Sequence, residues 1–146
     1  MTKAPKTLTI NSKRVIAGDP AKVFEAWLDP KQPCNPWSAG KTVGLEPKVG
    51  SLYCILMGST AYIFGRVLKV AKGKKLQHTW MSRYTHGLET TVAVDFKRHA
   101  AGTLMTLRHT GLPNDENGRL HTDGWNQFLE KLEDHFAGKG QEAMKK

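Results

Sequence analysis

Apolar and polar positions follow one another along the chain with a period that changes between two residues and about 3.6 residues. Residues 7–16 alternate at their start and are rich in β-branched side chains, which predicts a first strand. Asp19 and Pro20 then have the identities of a helix N-cap and a first helical residue. Apolar side chains recur after them at helical spacing, at Val23, Phe24, Trp27 and Leu28. The pattern predicts a short helix that ends near 29–30.

The middle of the chain consists of short strand-like segments separated by turns. Three prolines and one glycine break regular structure over 30–40, where the pair Pro36-Trp37 allows a second short helix. Beyond it the alternation predicts six strands, at 41–46, 51–57, 61–70, 75–82, 89–98 and 103–110. Their connections are too short for the crossovers that parallel strands need. We therefore predict an antiparallel meander with one buried face.

The last segment carries the only long helical pattern of the sequence. Apolar side chains recur along 120–137 and form one stripe, which consists of Trp125, Phe128, Leu129, Leu132 and Phe136. This helix is the predicted cover for the buried face of the sheet. Gly118 and Gly124 are unfavourable within a helix, and they predict either a late helix start or a close approach of the helix backbone to the sheet at Gly124.

The composition is that of one folded domain. The chain has 146 residues, of which 39% are apolar and 24% charged, so we predict a single domain over 1–146 with an ordered core of about 8–137. No apolar run is long enough for a membrane span, and the start of the chain lacks the apolar run of a secretory signal. These features predict a cytoplasmic protein.

The net charge of +9 is unevenly distributed. Basic residues concentrate in 1–22, in a lysine-rich segment at 69–75 and in 137–146, while the terminal helix has more acidic than basic side chains. Lysines at chain ends contact phosphates without reading bases, and a DNA-reading helix would be basic. We therefore predict no specific binding of nucleic acid.

Cysteine and histidine spacings do not match a metal site. Cys34 and Cys54 form no Cys-x-x-Cys pair, and none of the six histidines pairs with another residue at ligand spacing. We predict reduced thiols, no metal and no cofactor.

Several short motifs are distributed over nearly the whole chain. They are Asp19-Pro20-Ala21-Lys22-Val23-Phe24-Glu25-Ala26-Trp27, Pro36-Trp37, Val49-Gly50, Gly65-Arg66-Val67-Leu68-Lys69-Val70, Leu76-x-x-Thr79-Trp80, Gly102-Thr103-x-Met105-Thr106-Leu107-x-His109-x-Gly111-Leu112-Pro113 and Gly124-Trp125. Together they resemble the bacterial family similar to the activator of heat-shock protein 90 ATPase, in the START-like, or SRPBCC, superfamily. The resemblance covers about 8–137. It implies an α+β helix-grip fold, in which a curved antiparallel β-sheet wraps around a long C-terminal helix, with two short helices after the first strand and a cavity between sheet and helix.

The resemblance, combined with the alternation, implies which side chains face that cavity. From the strands they are Leu52, Cys54 and Leu56, then Leu76, His78 and Trp80, then Val92, Val94 and Phe96, and finally Met105, Leu107 and His109. The remaining members are Trp37 from the second short helix and Trp125, Phe128, Leu129 and Leu132 from the terminal helix. His78 departs from the bulky apolar residue that the family usually has there. Arg66 faces the cavity if Phe64 and Leu68 do, and faces solvent if Ile63 and Val67 point inward instead.

These expectations favour a small-molecule binding protein without catalysis, whose ligand is apolar or amphipathic with one polar or anionic end. An alternative is a cyclase or hydrolase of polyketide-like substrates, with His78, His109 or Arg66 as acid, base or anion clamp; at least two of these groups should then meet in one pocket. A second alternative is a protein-interaction module like the co-chaperone domain. Chaperone binding is not expected, because the chain has no room for the additional N-terminal domain of the eukaryotic activator. A homodimer remains open.

Overall fold

The computed structural model describes residues 7–32, 34–38, 40–57 and 61–138. Its strands are β1 (Thr7–Ile16), β2 (Lys41–Gly44), β3 (Leu52–Met57), β4 (Ala61–Ala71), β5 (Lys75–Trp80), β6 (Thr90–His99) and β7 (Gly102–Pro113). Its helices are α1 (Pro20–Leu28), α2 (Glu116–Phe136) and two 3₁₀ turns, Pro36–Ser38 and Arg83–Thr85. The polar tail that the sequence predicts after the terminal helix falls mostly in 139–146, outside the described residues.

All seven strands form one antiparallel sheet in the order β1-β7-β6-β5-β4-β3-β2. The sheet curves around α2, which packs mainly against β1 and touches β7 and the second 3₁₀ turn. This arrangement confirms the predicted α+β helix-grip fold, including the short helix after the first strand and the 3₁₀ turn at Pro36-Trp37. The meander places each consecutive pair of strands from β2 to β7 side by side, because short turns connect them.

Capping residues set where both helices begin. Asp19 accepts a hydrogen bond from the backbone N–H of Lys22 at 3.0 Å, and Pro20 occupies the first turn, as predicted. The terminal helix begins at Glu116 rather than near 120, because Asp115 accepts from the N–H of Gly118 at 3.1 Å and so caps an earlier turn.

The close approach of α2 to the sheet occurs at Gly118 and not at Gly124. A Cβ on Gly118 would collide with the backbone carbonyl of Pro113 at the end of β7. A Cβ on Gly124 would meet nothing within 4 Å. The glycine at 118 therefore allows the first turn of α2 to pack on β7, while the glycine at 124 leaves an opening beside the helix.

The predicted orientation of β3 is wrong. Tyr53 and Ile55 are buried, whereas Leu52 is 69% exposed and lies with Cys54 and Leu56 on the outer face of the sheet. Every position of the strand is apolar, so the alternation alone does not select a face. Tyr53 selects it, because its ring packs edge-on against Trp37, at 5.0 Å between ring centres, and its hydroxyl reaches the backbone of Thr79.

The other three strand orientations are confirmed. Each strand of the central sheet buries the side chains predicted to face the helix: Leu76, His78 and Trp80 on β5, Val92, Val94 and Phe96 on β6, and Met105, Leu107 and His109 on β7. On β4, Ile63 and Val67 point inward, which turns Arg66 to the outer face.

Candidate functional site

An apolar opening, the α2 groove, lies between the middle of α2 and the edge where β4 and β5 meet the second 3₁₀ turn. It has a volume of about 270 Å³. Its lining residues are Met57, Ala61, Ile63, Trp80, Ser82, Tyr84, Leu120, His121, Gly124, Trp125 and Phe128. Among these eleven residues none is Lys, Arg, Asp or Glu. The described lining is therefore uncharged, and four of its residues are Trp, Tyr or Phe, on a protein with a strongly positive net charge.

Three residues of the predicted cavity line the α2 groove, namely Trp80, Trp125 and Phe128. The others lie elsewhere: Trp37, His78, Val92, Val94, Phe96, Met105, Leu107, His109, Leu129 and Leu132 are buried in the core, and Leu52, Cys54, Leu56 and Arg66 lie on the outer face. The first helix explains much of this difference. Phe24 packs edge-on against Phe96 at 5.4 Å and Trp27 lies 6.2 Å from Trp125, so α1 occupies space between the sheet and α2.

A chain of hydrogen bonds fixes the wall of the groove at Trp125. Trp125 Nε1 donates to His109 Nδ1 at 2.9 Å, and His109 Nε2 lies 2.7 Å from Thr90 Oγ1. Because Nδ1 accepts, the neutral ring carries its proton on Nε2 and donates it to Thr90, whose hydroxyl donates to the carbonyl of Trp80. Both nitrogens of His109 are thus engaged in holding Trp125 in place.

Burial keeps His109 neutral. Desolvation, with smaller effects from His121 and His78, lowers the pKa of His109 from 6.5 to about 2. The ring is fully buried and both of its nitrogens have partners, so it reaches the groove only through Trp125. A role as acid or base toward a ligand would require this chain of hydrogen bonds to break.

His78 lies deeper in the core, beside Trp37 and Tyr53. Its Nδ1 is 2.9 Å from the carbonyl oxygen of Thr79, which fixes the proton on Nδ1. Nε2 is buried and has no hydrogen-bond partner among the described residues. Desolvation lowers the pKa of His78 from 6.5 to about 4. His78 is therefore a neutral core residue, and it does not line the groove.

Arg66 settles the orientation that the sequence left open. Its guanidinium lies on the outer face, half exposed, and pairs with Glu89 at 3.2 Å between Nη2 and Oε1. The hydrogen bond to Glu89 raises the pKa of Arg66. The predicted anion clamp is therefore absent from the groove, and His78, His109 and Arg66 do not converge in one pocket.

His121 is a lining residue that the sequence analysis missed. It lies one helical turn before Trp125 and two before Phe128, so the three share one face of α2. That spacing is visible in the sequence once Asp115 is recognised as the N-cap. The other missed polar residues, Ser82 and Tyr84, belong to the second 3₁₀ turn. Two hydrogen bonds close this turn: the hydroxyl of Ser82 accepts from the backbone N–H of Tyr84, and the hydroxyl of Thr85 accepts from the backbone N–H of Ser82.

The remaining features of the described chain do not suggest a metal or membrane site. Within the ranges that the structure describes, no group of three His, Cys, Asp or Glu side chains could hold a metal ion. Cys34 and Cys54 are free, and burial raises the pKa of Cys34 to about 11, so its thiol is unreactive. None of the helices in the described part of the chain is long and apolar enough to cross a membrane.

A second, larger depression of about 830 Å³ lies beside the start of α1. Charged side chains make up much of its lining, with Lys72, Lys74, Lys97 and Arg98 facing Asp19 and Asp95 across it. Half of the residues that line this depression are charged, which suits solvated lysines better than an apolar ligand. The α2 groove is therefore the better candidate for small-molecule binding.

The fold and the groove together define a protein of the helix-grip class, the START-like or SRPBCC architecture. The family described as Activator of Hsp90 ATPase homolog 1-like protein matches residues 17–137. The chain belongs to this family, as the sequence motifs indicated.

Solved structures from bacteria have the same architecture. Protein MLL2253 from Mesorhizobium loti is 24% identical with a TM-score of 0.72, over 87% of this chain and 95% of that one. Protein CV1439 from Chromobacterium violaceum is 21% identical with a TM-score of 0.70, over 88% and 96%. The Aha1 dimer from Colwellia psychrerythraea is 15% identical with a TM-score of 0.66, over 88% and 96%. At these identities the likeness concerns the fold alone. No curated protein matches the chain in sequence.

Proposed function

We propose that this protein binds a small apolar ligand in the α2 groove. The observation that carries the proposal is the lining itself, which is uncharged and contains four aromatic side chains, Trp80, Tyr84, Trp125 and Phe128. Small-molecule sites are lined mostly by apolar and aromatic groups with a few polar ones. The volume of about 270 Å³ lies near the lower end of such sites, so the ligand is a compact aromatic compound of two or three rings.

Several features make the groove a prepared site rather than a surface irregularity. The hydrogen bonds from Trp125 through His109 to Thr90 hold one aromatic wall rigid before any ligand arrives. Gly124 removes a side chain from the helix where an ordinary residue would project into open space. A rigid, preformed wall lowers the entropic cost of binding.

The enzymatic alternative lacks the arrangement that would support it. Two of its three candidate groups, His78 and His109, are neutral and buried in the core, and Arg66 lies on the outer face. No specific observation favours acid or base catalysis by these residues at the α2 groove. We therefore propose binding rather than turnover.

Position 124 allows the groove to be filled without damage to the fold. N-phenylnaphthylamine, a neutral probe whose emission rises in apolar surroundings, should bind the wild-type protein saturably. Gly124→Leu should abolish the signal, because the leucine enters the open space beside α2. It should not lower the melting temperature, because leucine is the better helix former.

Gly124→Ala is the matched control, since its single methyl group leaves most of the volume free. It should retain probe binding. Equal binding by the wild type and Gly124→Leu would place the probe elsewhere, and absence of any saturable binding would contradict the proposal.

A second candidate function, self-association, follows from the outer face of β2, β3 and β4. The outer patch consists of Val43, Leu52, Tyr62 and Phe64, which share the outer face and are 62%, 69%, 50% and 45% exposed. Val43 and Phe64 lie on either side of Cys54, which is the register partner of both. Exposed apolar patches of this kind mark interaction sites. We propose a second copy of this chain as the occupant.

Charge supports a self-complementary contact at this patch. A two-fold interface brings a surface against its own copy, so a net charge there would repel. The four side chains of the outer patch are uncharged and the neighbouring Arg66 is paired with Glu89, so the like charges of two copies, from Lys41 and Arg83, stay at the border of the patch. Among the structural neighbours, the Colwellia psychrerythraea protein is described as a dimer.

Sedimentation velocity tests the second candidate. The wild type should contain a dimer whose share grows with concentration, and Leu52→Ser with Phe64→Ser should shift it to monomer. Val15→Ser, on β1 at the opposite edge of the sheet and 41% exposed, should leave the dimer intact. A monomeric wild type at high concentration would contradict self-association.

A further inference from the structure

His121 lines the α2 groove, and its ring carries a hydrogen-bond acceptor that no described residue uses. Its Nδ1 lies 3.0 Å from the carbonyl oxygen of Asn117 and 3.3 Å from that of Gly118. Carbonyl oxygens only accept, so Nδ1 carries the proton and donates to them. A neutral imidazole has one N–H, which makes Nε2 the acceptor. Nε2 makes no hydrogen bond to any residue in the part of the chain that the structure describes.

The surroundings of His121 favour its neutral form. Burial lowers the pKa of its ring, against a smaller opposing effect of the hydrogen bonds to Asn117 and Gly118. The ring packs edge-on against the neutral ring of His109, at 5.3 Å between centres. None of the described residues that line the groove carries a formal charge to bind an anion. The ring of His121 therefore offers the lone pair of a neutral nitrogen, which accepts a hydrogen bond. A carboxylate on the ligand would instead need a cation.

Ser82 supplies the opposite hydrogen-bonding capacity. Its Oγ accepts the backbone N–H of Tyr84 at 3.0 Å, which leaves the hydroxyl proton available to a ligand. The lining thus combines an acceptor on α2 with a donor on the second 3₁₀ turn. A hydroxyl group both donates and accepts, so it can satisfy either partner, whereas a carboxylate or an ether can only accept.

From these contacts we infer that the ligand of the α2 groove is a neutral aromatic compound with a hydroxyl group, which donates a hydrogen bond to Nε2 of His121. The inference rests on the proposed ligand-binding function and specifies the chemical class of its ligand. Trp80, Trp125 and Phe128 supply flat surfaces for the aromatic part. The sequence predicts a ligand with one polar or anionic end, and without Arg66 in the groove we infer the polar one.

Competition against N-phenylnaphthylamine tests the inference with three probes of similar size: a naphthol, naphthalene and naphthoate. The naphthol should displace the reporter at about a tenth of the concentration that naphthalene needs, the effect of one buried hydrogen bond. Naphthoate should be the weakest of the three. His121→Phe keeps a ring of similar size without the acceptor, and it should remove the preference for the naphthol over naphthalene.

His135→Phe is the matched control, because His135 lies on the same helix but outside the groove. It should keep the preference for the naphthol. In the wild type, the ¹⁵N signal of His121 Nε2 should be that of an unprotonated nitrogen and should move when the naphthol binds. This measurement needs no variant, so it decides the matter even if His121→Phe fails to fold.

The failures of the two proposals are distinct. If the reporter binds but the naphthol and naphthalene compete equally, or naphthoate competes best, the hydroxyl inference is overturned and ligand binding stands. A preference for the naphthol that survives in His121→Phe also overturns the inference. If the reporter does not bind at all, the proposed function itself falls.

Discussion

His109 and His121 touch each other, yet their hydrogen bonds give them opposite roles. His109 uses both nitrogens to hold Trp125 and Thr90 in place, whereas His121, which lines the α2 groove, uses one nitrogen on its own helix and leaves the other without a partner among the described residues. Sequence position alone does not distinguish them. The difference arises from which acceptors and donors lie within reach after folding, which is why the sequence analysis chose His109 and missed His121.

Alanine substitutions at two glycines of α2 should change the free energy of unfolding in opposite directions. Gly124→Ala should raise the free energy of unfolding by about 1 kcal/mol, because alanine favours the helix and its methyl group meets open space. Gly118→Ala should lower the free energy of unfolding, because the new Cβ would collide with the carbonyl of Pro113. Urea unfolding of both variants measures the contrast. Equal effects at the two positions would contradict the contact between α2 and β7.

At the scale of elements, β3 is the strand whose orientation the sequence did not determine. Leu52, Tyr53, Cys54, Ile55, Leu56 and Met57 are all apolar, so either face could be buried. On β6 the alternation is clear, and the prediction is confirmed there. The outer face of β3 stays apolar, and that is the surface which the proposed dimer would cover.

Charged substitutions on the two opposite faces of β3 test the corrected orientation. Ile55→Lys should unfold the protein or cost more than about 3 kcal/mol, because it places an unpaired charge where the wild-type side chain is fully buried. Leu52→Lys should change the free energy of unfolding of the monomer by less than about 0.5 kcal/mol, because that side chain is exposed. Thermal unfolding at low protein concentration compares them. A larger loss of stability in Leu52→Lys than in Ile55→Lys would contradict the corrected orientation and support the one predicted from the sequence.

The architecture was predictable from the sequence because its signals are local. Short turns required antiparallel neighbours, Asp19 and Pro20 marked the start of α1, and the apolar stripe of α2 required a sheet to cover. The site was less predictable, because its position depends on long-range packing. Phe24 and Trp27 on α1 occupy the space that the sequence analysis assigned to a ligand, and the α2 groove lies where Gly124 lacks a side chain.

The whole molecule should lose stability in acid because its inner histidines are neutral. Desolvation lowers the pKa of His78 to about 4 and that of His109 to about 2 from 6.5, and it also lowers the pKa of His121. Below pH 6.5 these histidines take up protons in the unfolded chain but stay neutral in the native protein. The free energy of unfolding is therefore highest above pH 6.5, and it falls as the pH drops from 6.5 toward each folded pKa.

Between about pH 7.5 and about pH 5, His78 and His109 should each contribute a loss of about 2 kcal/mol. Urea unfolding across this range measures it. His78→Phe should flatten the dependence, whereas His99→Gln, at an exposed position, should not. A free energy of unfolding that stays constant down to pH 5 would contradict the neutral, buried state of both rings.

The central claim, that the α2 groove binds a small apolar ligand, is tested most directly by the indole N–H signals of the four tryptophans during titration with N-phenylnaphthylamine. Trp80 and Trp125 line the groove, whereas Trp27 and Trp37 do not. The account predicts that the signals of Trp80 and Trp125 move together and saturate with one Kd, while that of Trp37 stays in place. Unchanged Trp80 and Trp125 signals, or movement of Trp37 alone, would contradict it.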